Sequence, residues 1–563
     1  MSLPVETKRN LRRRLAESEA KYAALEAKYA ELEQLVAKLT TLVNAYEEQI
    51  RLAEHKRHAP SSEHTPVEQQ SLFNEAETLA DPDVPEPETE TITVTRRKKA
   101  KGHRQEQLAH LAIQEIEYPL PADKQFCECC GDELQFVEWE ITKKVAVEPA
   151  KATLELHKQP KVACRNCQNE GEPAPIKTVA TMPKQPFPKS IASAPLVAHI
   201  ITQKFVMGAP LYRQEQYIES LGLFISRQTM ANWMIASGKL LTPVYDRLHE
   251  ILISLDILHA DETKLQVLHE TGRSPTTDST MWLYRSGREG PPIALFEYQT
   301  TRAGKHAKEF LRGFGGYDPA TNQITRLKYL HADGWDAYDV VPHCVLVGNT
   351  KTPDVVIVGC LAHARRKFDE ALAALKKVDR MPGKKTAAEV GLKFCNDLFD
   401  IERELTDATP EQRLAARKER SKPVVDEFKQ WLDSQAIHAL PKTTLGQAVA
   451  YCLNQWSKLI QFLTDGRLEI DNNRAERTIK PFVVGRKNWL FANTPKGAKS
   501  SATLYSVVET AKENGLIPFE YLKYLLERLP NINTKDTTAI DNLLPWSKTI
   551  PDHCRKSAAN TTK

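Results

Sequence analysis

The stretch 257-ILHADETKLQVL-268 determines the fold class, because its apolar residues predict a β-strand with an acid in its middle. The runs 281-MWLYR-285 and 293-IALFEY-298 follow it and predict two more strands. Asp261 breaks the apolar pattern of the first strand, and an ionised carboxylate is costly to bury there without a partner. Asp261 is therefore a candidate functional residue.

The segment that follows predicts a mixed sheet with helices. A helix in 304–314 is followed by the strand 327-LKYLHAD-333, a short helix in 335–341, the strand 355–360 and a helix in 361–377. The order βββαβαβα over residues 256–376 is that of a ribonuclease-H-like fold. Asp333 ends the fourth strand, so it meets Asp261 if the two strands are neighbours. The alternative is that Asp333 caps the short helix.

A third acid is needed if the two aspartates bind a metal. Metal-assisted phosphodiester cleavage uses divalent cations held by two or three carboxylates, with phosphate oxygens and water as further ligands. The stretch 469-EIDNNRAERTIKP-481 offers Glu469, Asp471 and Glu476. Asn473 and Glu476 also have the spacing of a capping box, with Asn473 as N-cap and Glu476 at N3. The local pattern leaves the choice among the three acids open.

The N-terminal segment carries a heptad seam with alternating spacings of four and three residues. Glu and Lys fill its flanks, which predicts a coiled coil through which the chain associates with itself. The alternative is a long amphipathic helix that packs on its own chain. The seam consists of Leu11, Leu15, Ser18, Tyr22, Leu25, Tyr29, Leu32, Val36, Leu39, Val43, Tyr46 and Ile50.

Residues 59–105 are rich in Pro, Glu and Thr and lack apolar periodicity, which predicts a disordered linker. No Lys or Arg lies between Ser61 and Val94, and the basic block 96-RRKKAKGHR-104 then follows. The net charge of the chain is only +4, but a local basic block can still bind phosphate. The block indicates either nonspecific DNA contact or a solvated tether.

Ten cysteines are too few for a disulfide scaffold in 563 residues, and five of them cluster as 127-CECC-130 and 164-CRNC-167. Two CxxC hairpins suit one tetrahedral, structural Zn²⁺ site held by four thiolates, and the alternative is free buried cysteines. Cys129 is an additional thiol beside the first pair. The predicted zinc ligands are Cys127, Cys130, Cys164 and Cys167.

The segment 211-LYRQEQYIESLGLFISRQTMANWMIASG-238 has helix-turn-helix spacing. The first helix ends at Gly222, Ser226 caps the second, and the second runs from Arg227. Its exposed face would then present Arg227, Gln228 and Asn232 to DNA. A plain helical hairpin is the alternative.

Further candidates flank the predicted carboxylates. His363 follows the fifth strand and either reaches a phosphate or metal-bound water or fills a structural role. The basic residues expected to contact the DNA backbone, with a plain surface role as the alternative, are Arg365, Arg366, Arg477, Arg486 and Lys487.

No apolar run reaches the roughly 18 residues that a membrane helix needs. The N-terminus is charged and has no apolar signal-peptide region. We therefore expect a cytoplasmic protein without membrane partners.

Several motifs together resemble transposases of the insertion sequence 66 family. They are NNRAERTIKP, GCLAHARRKF, the ADET and ADG contexts of the two aspartates, and the CxxC pairs. The resemblance covers almost the whole chain, including a C-terminal 506-SVVETAKENGLIPFEYLKYLLERLP-530 and 543-LLPW-546. Lys480 stands where the family pattern leads us to expect Arg, and Cys129 adds a thiol.

The resemblance implies a DDE enzyme in which Asp261, Asp333 and Glu476 hold Mg²⁺ (or Mn²⁺). It also implies hydrolysis at transposon ends followed by attack of the freed 3′-hydroxyl on target DNA. The expected partners are terminal-repeat and target DNA and small accessory proteins of the same element, in a bacterial nucleoid. Two alternatives are a non-catalytic DNA-binding regulator with a decayed nuclease fold, and a nuclease of the same fold that does not join DNA.

The expected architecture is multidomain, with an α/β ribonuclease-H-like catalytic core at its centre. The expected segments are a coiled-coil helix (1–58), a linker (59–105), a zinc-binding β module (106–180), a helix-turn-helix region (181–248), the catalytic domain (249–505) with a helical insertion (378–465), a C-terminal helical element (506–547) and a tail (548–563).

Overall fold

A computed structural model of the protein describes residues 5–58, 157, 161–162, 177–178, 183–318, 321, 323–347, 350–375 and 385–556. The predicted linker and all four predicted zinc ligands lie outside the described residues. The chain forms two compact units, of which the larger contains the described parts of 1–74, 184–211 and 230–550. The smaller unit includes residues 212–229.

A five-stranded sheet forms the centre of the larger unit. Its spatial order is β5-β4-β1-β2-β3, in which β2 is antiparallel to both its neighbours, while β1 with β4 and β4 with β5 are parallel. The predicted mixed α/β architecture is thus confirmed, and the first and fourth strands are neighbours. The strands are β1 (Ile257–Gln266), β2 (Asp278–Ser286), β3 (Ala294–Gln299), β4 (Lys328–His331) and β5 (Val355–Val358).

The register between β1 and β4 brings two identical tetrapeptides side by side. The sequence Leu-His-Ala-Asp occurs at 258–261 and again at 330–333. Leu258 pairs with Leu330 and His259 with His331 across the parallel ladder. Because strand side chains alternate with a period of two, each histidine shares a sheet face with the aspartate two residues on.

Helices make up most of the rest of the described chain. They are α1 (Val5–His58), α2 (Ala194–Phe205), α3 (Leu211–Ser220), α4 (Arg227–Leu240), α5 (Thr242–Ser254), α6 (Gly304–Phe310), α7 (Leu361–Ala374), α8 (Ala387–Glu404), α9 (Pro410–Ala416), α10 (Lys422–His438), α11 (Thr444–Asn454), α12 (Trp456–Leu459), α13 (Asn473–Trp489), α14 (Pro495–Glu513), α15 (Pro518–Arg528) and α16 (Thr537–Asp541). The helix predicted over 304–314 is shorter than expected, and a hairpin of Cys344–Val347 with Thr350–Pro353 was not predicted.

The outer strand β3 is covered by α14. The Phe296 N–H donates to the Ser506 hydroxyl at 2.7 Å, and the Ala294 N–H donates to the Thr510 hydroxyl at 3.0 Å. Both hydroxyls are buried, so they replace the neighbouring strand that an edge otherwise lacks.

The helical segment after α7 shares its core with the sheet. Capping boxes at Thr386 and Thr409 begin α8 and α9, which fixes where these helices start. The side chains of this common core include Ile257, Tyr329, Val358, Phe368, Leu398, Phe428, Val449 and Phe462.

A fully buried arginine fixes the turn that leads from these helices towards α13. Arg417 lies in a π-helical segment, Arg417–Ser421, and pairs with Glu402 at 2.7 Å. Its guanidinium also donates to the carbonyls of Phe462 and Leu468 at 2.7 and 2.8 Å. Five planar N–H donors suit this arrangement, which a lysine does not reproduce.

We expect Arg417→Met to lower the melting temperature by about 5–10 °C, because leaving Glu402 buried without its partner costs about 3–5 kcal/mol. The control is Arg420→Met, which removes an exposed pair with Glu404. That variant should melt within about 2 °C of the unmodified protein. Differential scanning calorimetry measures both, and equal melting temperatures for the two variants would contradict the role of Arg417.

Candidate active site

Three acids from separate elements line one cleft. Asp261 comes from β1, Asp333 follows β4, and Glu476 lies in the first turns of α13. The cleft is open and has a volume of about 260 Å³. Its other lining residues are Glu262, Thr263, His363, Asn472, Ile479, Lys480 and Val483.

Asp261 is largely buried beside other acids. Its Oδ1 accepts a hydrogen bond from the Glu262 N–H at 2.8 Å. Burial raises the pKa of Asp261 well above its ordinary value, and the charges of Glu262, Asp333 and Glu476 raise it further. A cation in the cleft would relieve this repulsion.

Asp333 does not cap the helix that follows it, so that alternative is wrong. The helix is a 3₁₀ segment, Asp336–Val340, and its N-cap residue is Trp335. Asp333 Oδ1 instead accepts from the Trp335 N–H at 3.1 Å within a turn. Among the described residues, no hydrogen bond or ion pair engages the second carboxylate oxygen of Asp333 or that of Asp261.

The predicted capping box at α13 is wrong. The N-cap residue is Asn472 rather than Asn473, and it makes no side-chain cap. The Asn473 side chain donates instead to Asp471 at 2.7 Å. The Asn472 side chain contacts strand β1 instead. Its Nδ2 donates to the Ala260 carbonyl at 2.8 Å, and its Oδ1 lies 2.9 Å from His259 Nδ1.

The Glu476 carboxylate faces α7. Its Oε2 lies 3.5 Å from Arg366 Nη2, and its Oε1 lies 3.7 Å from His363 Nδ1. The structure thus brings His363 and Arg366 next to the third acid, at the edge of the cleft.

The two competing acids, Glu469 and Asp471, are absent from the cleft lining and have other partners. Glu469 lies 2.8 Å from Arg474 Nη2 and 3.2 Å from His259 Nε2. Burial raises the pKa of Glu469, but bonds from His259 and Arg474 outweigh burial and leave the pKa well below the ordinary value. Asp471 accepts the Asn473 N–H at 3.0 Å.

A pair of stacked histidines lies directly behind the two aspartates. The rings of His259 and His331 are 4.2 Å apart, nearly parallel and fully buried. Because Asn472 and Glu469 both contact His259, this pair links β1 and β4 to the start of α13. Sequence reasoning missed this arrangement, and the repeated Leu-His-Ala-Asp was the signal that could have indicated it.

Glu262 lines the cleft but its carboxylate has partners of its own. Arg302 Nε donates to Oε1 at 3.0 Å, and the Tyr338 hydroxyl donates to Oε2. Burial raises the pKa of Glu262, the charge of Asp333 adds to the rise, and the bonds from Tyr338 and Arg302 oppose it. Glu262 is therefore a structural acid beside the three candidates.

Cys360, His363 and Glu476 form a second possible donor set, with one donor atom of each lying within 4.8 Å of the others. Cys360 Sγ accepts the Asn472 N–H at 3.2 Å. Burial raises the pKa of Cys360 to about 12. Hard divalent cations such as Mg²⁺ prefer oxygen to sulfur ligands, so this set suits them less well than three carboxylates.

The other predicted basic residues occupy different surroundings. Arg365 is exposed and donates to Asn396 Oδ1 at 2.7 Å on α8, away from Glu476. Arg486 donates to the Lys264 carbonyl of β1. Arg477 and Lys487 are exposed on α13, and Lys480 of the same helix lines the cleft.

The predicted helix-turn-helix spacing matches the observed helices. α3 ends at Ser220 rather than at Gly222, which adopts a positive φ of 84° in the turn. The Ser226 hydroxyl accepts the Thr229 N–H at 3.2 Å and caps α4, as predicted. The three residues expected to contact DNA, Arg227, Gln228 and Asn232, are exposed on α4.

The described helices include none that is both long and apolar enough to cross a membrane.

Comparison with known proteins gives matches along most of the chain. Residues 189–500 match the family described as "Transposase IS66 family", residues 506–546 match "IS66 C-terminal element", and residues 45–116 match "Transposase C of IS166 homeodomain". The third match includes the whole predicted linker, 59–105, and continues on both sides of it. The prediction that this linker is disordered stays untested.

Curated relatives from Sinorhizobium fredii also match over most of their length. "Uncharacterized protein y4hP" is 28% identical over 75% of this chain and 73% of its own length. "Uncharacterized protein y4qI" is 29% identical over 80% of this chain and 78% of its own length.

The first family match covers more than half of the 563 residues and contains all three cleft acids. The chain therefore belongs to the IS66 family of transposases.

Proposed function

We propose that the chain is a DDE-type DNA transposase that cleaves element ends and joins the freed 3′-hydroxyl to target DNA. The observation that carries this proposal is the cleft in which Asp261, Asp333 and Glu476 converge within a chain of a transposase family. The strand order β5-β4-β1-β2-β3, with only β2 antiparallel to its neighbours, supports a ribonuclease-H-like core.

We propose Mg²⁺ or Mn²⁺ as the cofactor of the three acids. The donor set consists of carboxylate oxygens, which these hard cations prefer. Two oxygens, one each on Asp261 and Asp333, are not engaged by the described residues. The Cys360 sulfur is a poor competitor, because hard divalent cations prefer oxygen ligands. Divalent cations at such sites activate water and stabilise the leaving oxygen of a phosphodiester.

Residues of the chain itself would bind and orient the DNA at the cleft. Arg366 and Lys480 place positive charge beside the acids, where a phosphate would lie. His363, whose ring faces the Glu476 carboxylate, would contact either that phosphate or an attacking water. Arg477, Arg486 and Lys487 would extend the basic surface along α13, and Arg365 is a further candidate through its exposed position.

The remaining parts of the proposal concern assembly. α4 would read the terminal repeats, the CxxC pairs would hold a structural Zn²⁺, and α1 would mediate self-association. Small accessory proteins of the same element would assist, in the bacterial cytoplasm at the nucleoid. A regulator with a decayed nuclease fold is a weaker alternative, because all three acids are present and line one cleft.

We expect Asp261→Asn, Asp333→Asn and Glu476→Gln each to reduce strand cleavage by about a thousandfold or more, because each removes a charged metal ligand. Labelled terminal-repeat DNA with Mg²⁺ reports both nicking and joining, and a gel-shift assay should show that end binding survives. The matched control is Asp278→Asn, an exposed acid at the start of β2 that pairs with Lys264.

Two results of this experiment would change the proposal. Full cleavage by the Glu476→Gln variant would show that the third metal ligand is Glu469 or Asp471 and not Glu476. Nicking without any joining by the unmodified protein would favour a nuclease over a transposase.

The proposed recognition helix is tested by Arg227→Ala, Gln228→Ala and Asn232→Ala. A base contact is worth about 1–3 kcal/mol, so each variant that loses one should bind terminal-repeat DNA about 5- to 150-fold more weakly than the unmodified protein. Binding to scrambled DNA should change less. The control is Lys239→Ala, an exposed residue at the far end of α4. If all three variants keep the same selectivity for terminal-repeat over scrambled DNA, α3 and α4 are a plain helical hairpin.

The zinc module is tested by metal analysis of the purified full chain. Four thiolates should hold about one Zn²⁺ per chain, and Cys164→Ser with Cys167→Ser should release it. The control is Cys344→Ser, which changes an exposed free cysteine. Retention of the zinc in the double variant would contradict the assigned ligands.

A further inference from the structure

The seam of α1 is exposed along most of the helix. Isolated exposed apolar side chains are normal in folded proteins, but a continuous stripe marks an interaction surface. The described residues leave this seam uncovered. Ten seam side chains are between 53% and 69% exposed, namely Leu15, Tyr22, Leu25, Tyr29, Leu32, Val36, Leu39, Val43, Tyr46 and Ile50.

The last turns of α1 are anchored to the larger unit while the seam stays exposed. Arg51 Nε donates to the Ala374 carbonyl at the end of α7 at 2.7 Å. Ile50, the neighbouring seam residue, is nevertheless 59% exposed. The seam therefore stays exposed even where the helix is bonded to α7.

The composition of the seam favours a coiled coil of two helices. In parallel coiled coils, β-branched residues at heptad position a with Leu at position d favour dimers over trimers and tetramers. In the C-terminal half of the seam the a positions are Val36, Val43 and Ile50, and the d positions that alternate with them are Leu32, Leu39 and Tyr46.

The charges that flank the seam specify orientation. Position g carries Arg14, Lys21 and Lys28, and position e of the following heptad carries Glu19, Glu26 and Glu33. In a parallel, in-register dimer each g residue faces the e residue of the next heptad on the other helix, so all of these contacts are attractive. In an antiparallel dimer g faces g and e faces e, so the same residues repel each other.

We propose that α1 pairs with α1 of a second copy of this chain in a parallel, in-register, two-stranded coiled coil. This arrangement places both catalytic units at the same end of the coil, where α1 meets α7. An antiparallel coil would separate them by about 60 Å over residues 11–50. The proposal rests on the self-association that the proposed function includes and adds its stoichiometry and orientation, and it does not depend on catalysis.

A charge-swap pair in the full chain distinguishes the orientations. The first variant, called the half swap, changes Arg14, Lys21 and Lys28 to Glu. In a parallel dimer it makes these g–e contacts repulsive. In an antiparallel dimer the number of contacts between like charges stays the same. The full swap adds Glu19→Lys, Glu26→Lys and Glu33→Lys, which restores the parallel contacts with exchanged signs. Sedimentation velocity measures the mass of each variant over a range of concentrations.

We expect a dimer for the unmodified chain, dimerisation weakened on the order of a hundredfold in affinity for the half swap, and recovery for the full swap. The difference between the variants should shrink in 1 M salt, where surface charges are screened. A monomeric or higher-order unmodified chain, or a half swap that dimerises as before, would overturn the proposal.

A distance measurement gives a second test that does not depend on altered charges. A fluorescent amino acid encoded at Arg13, an exposed position outside the seam, reports the separation of the two copies. Energy transfer should give about 20 Å in the parallel dimer, whereas an antiparallel dimer gives about 50 Å. The longer distance would overturn the orientation even if the chain is a dimer.

Discussion

The parallel pairing of two copies of Leu-His-Ala-Asp is the constraint on which the candidate site depends. Because β1 and β4 align residue for residue, the histidines stack and the aspartates that follow them reach the same cleft. Asp261 could not be shifted by one residue along β1 without turning its side chain to the opposite face of the sheet, and Asp333 lies two residues beyond the end of β4. The pairing of β1 with β4 therefore brings two acids of like charge into one cleft.

The third acid reaches this pair through long-range contacts. Asn472 bonds to Ala260 and His259 of β1 and so fixes the start of α13, and Glu476 follows within the first turns. The turn before it is held in place from the helical segment by Arg417, which binds the carbonyls of Phe462 and Leu468. That segment therefore contributes to the position of Glu476 even though it contributes no residue to the cleft.

The sequence was sufficient for features that depend on local patterns, such as the strands and the exposed face of α4. The meeting of Asp261 and Asp333 was predicted only on the condition that their strands are neighbours, and this long-range pairing is seen in the structure. The prediction of a capping box at the start of α13 was wrong, because Asn472 bonds to a strand more than 200 residues away in the chain. Local patterns do not reveal such a contact. Glu469 and Glu476 were indistinguishable locally. They differ in the fold because Glu469 pairs with Arg474 and lies against His259, whereas Glu476 lines the cleft.

Fe²⁺-directed backbone cleavage is the sharpest test of whether the three acids bind one set of divalent cations. Fe²⁺ can occupy sites of carboxylate ligands, and with ascorbate and peroxide it cuts the chain near the ion. We expect cuts near Asp261, Asp333 and Glu476, all suppressed by excess Mg²⁺. Cuts confined to the neighbourhood of Cys360, His363 and Glu476, or cuts that Mg²⁺ does not suppress, would contradict it.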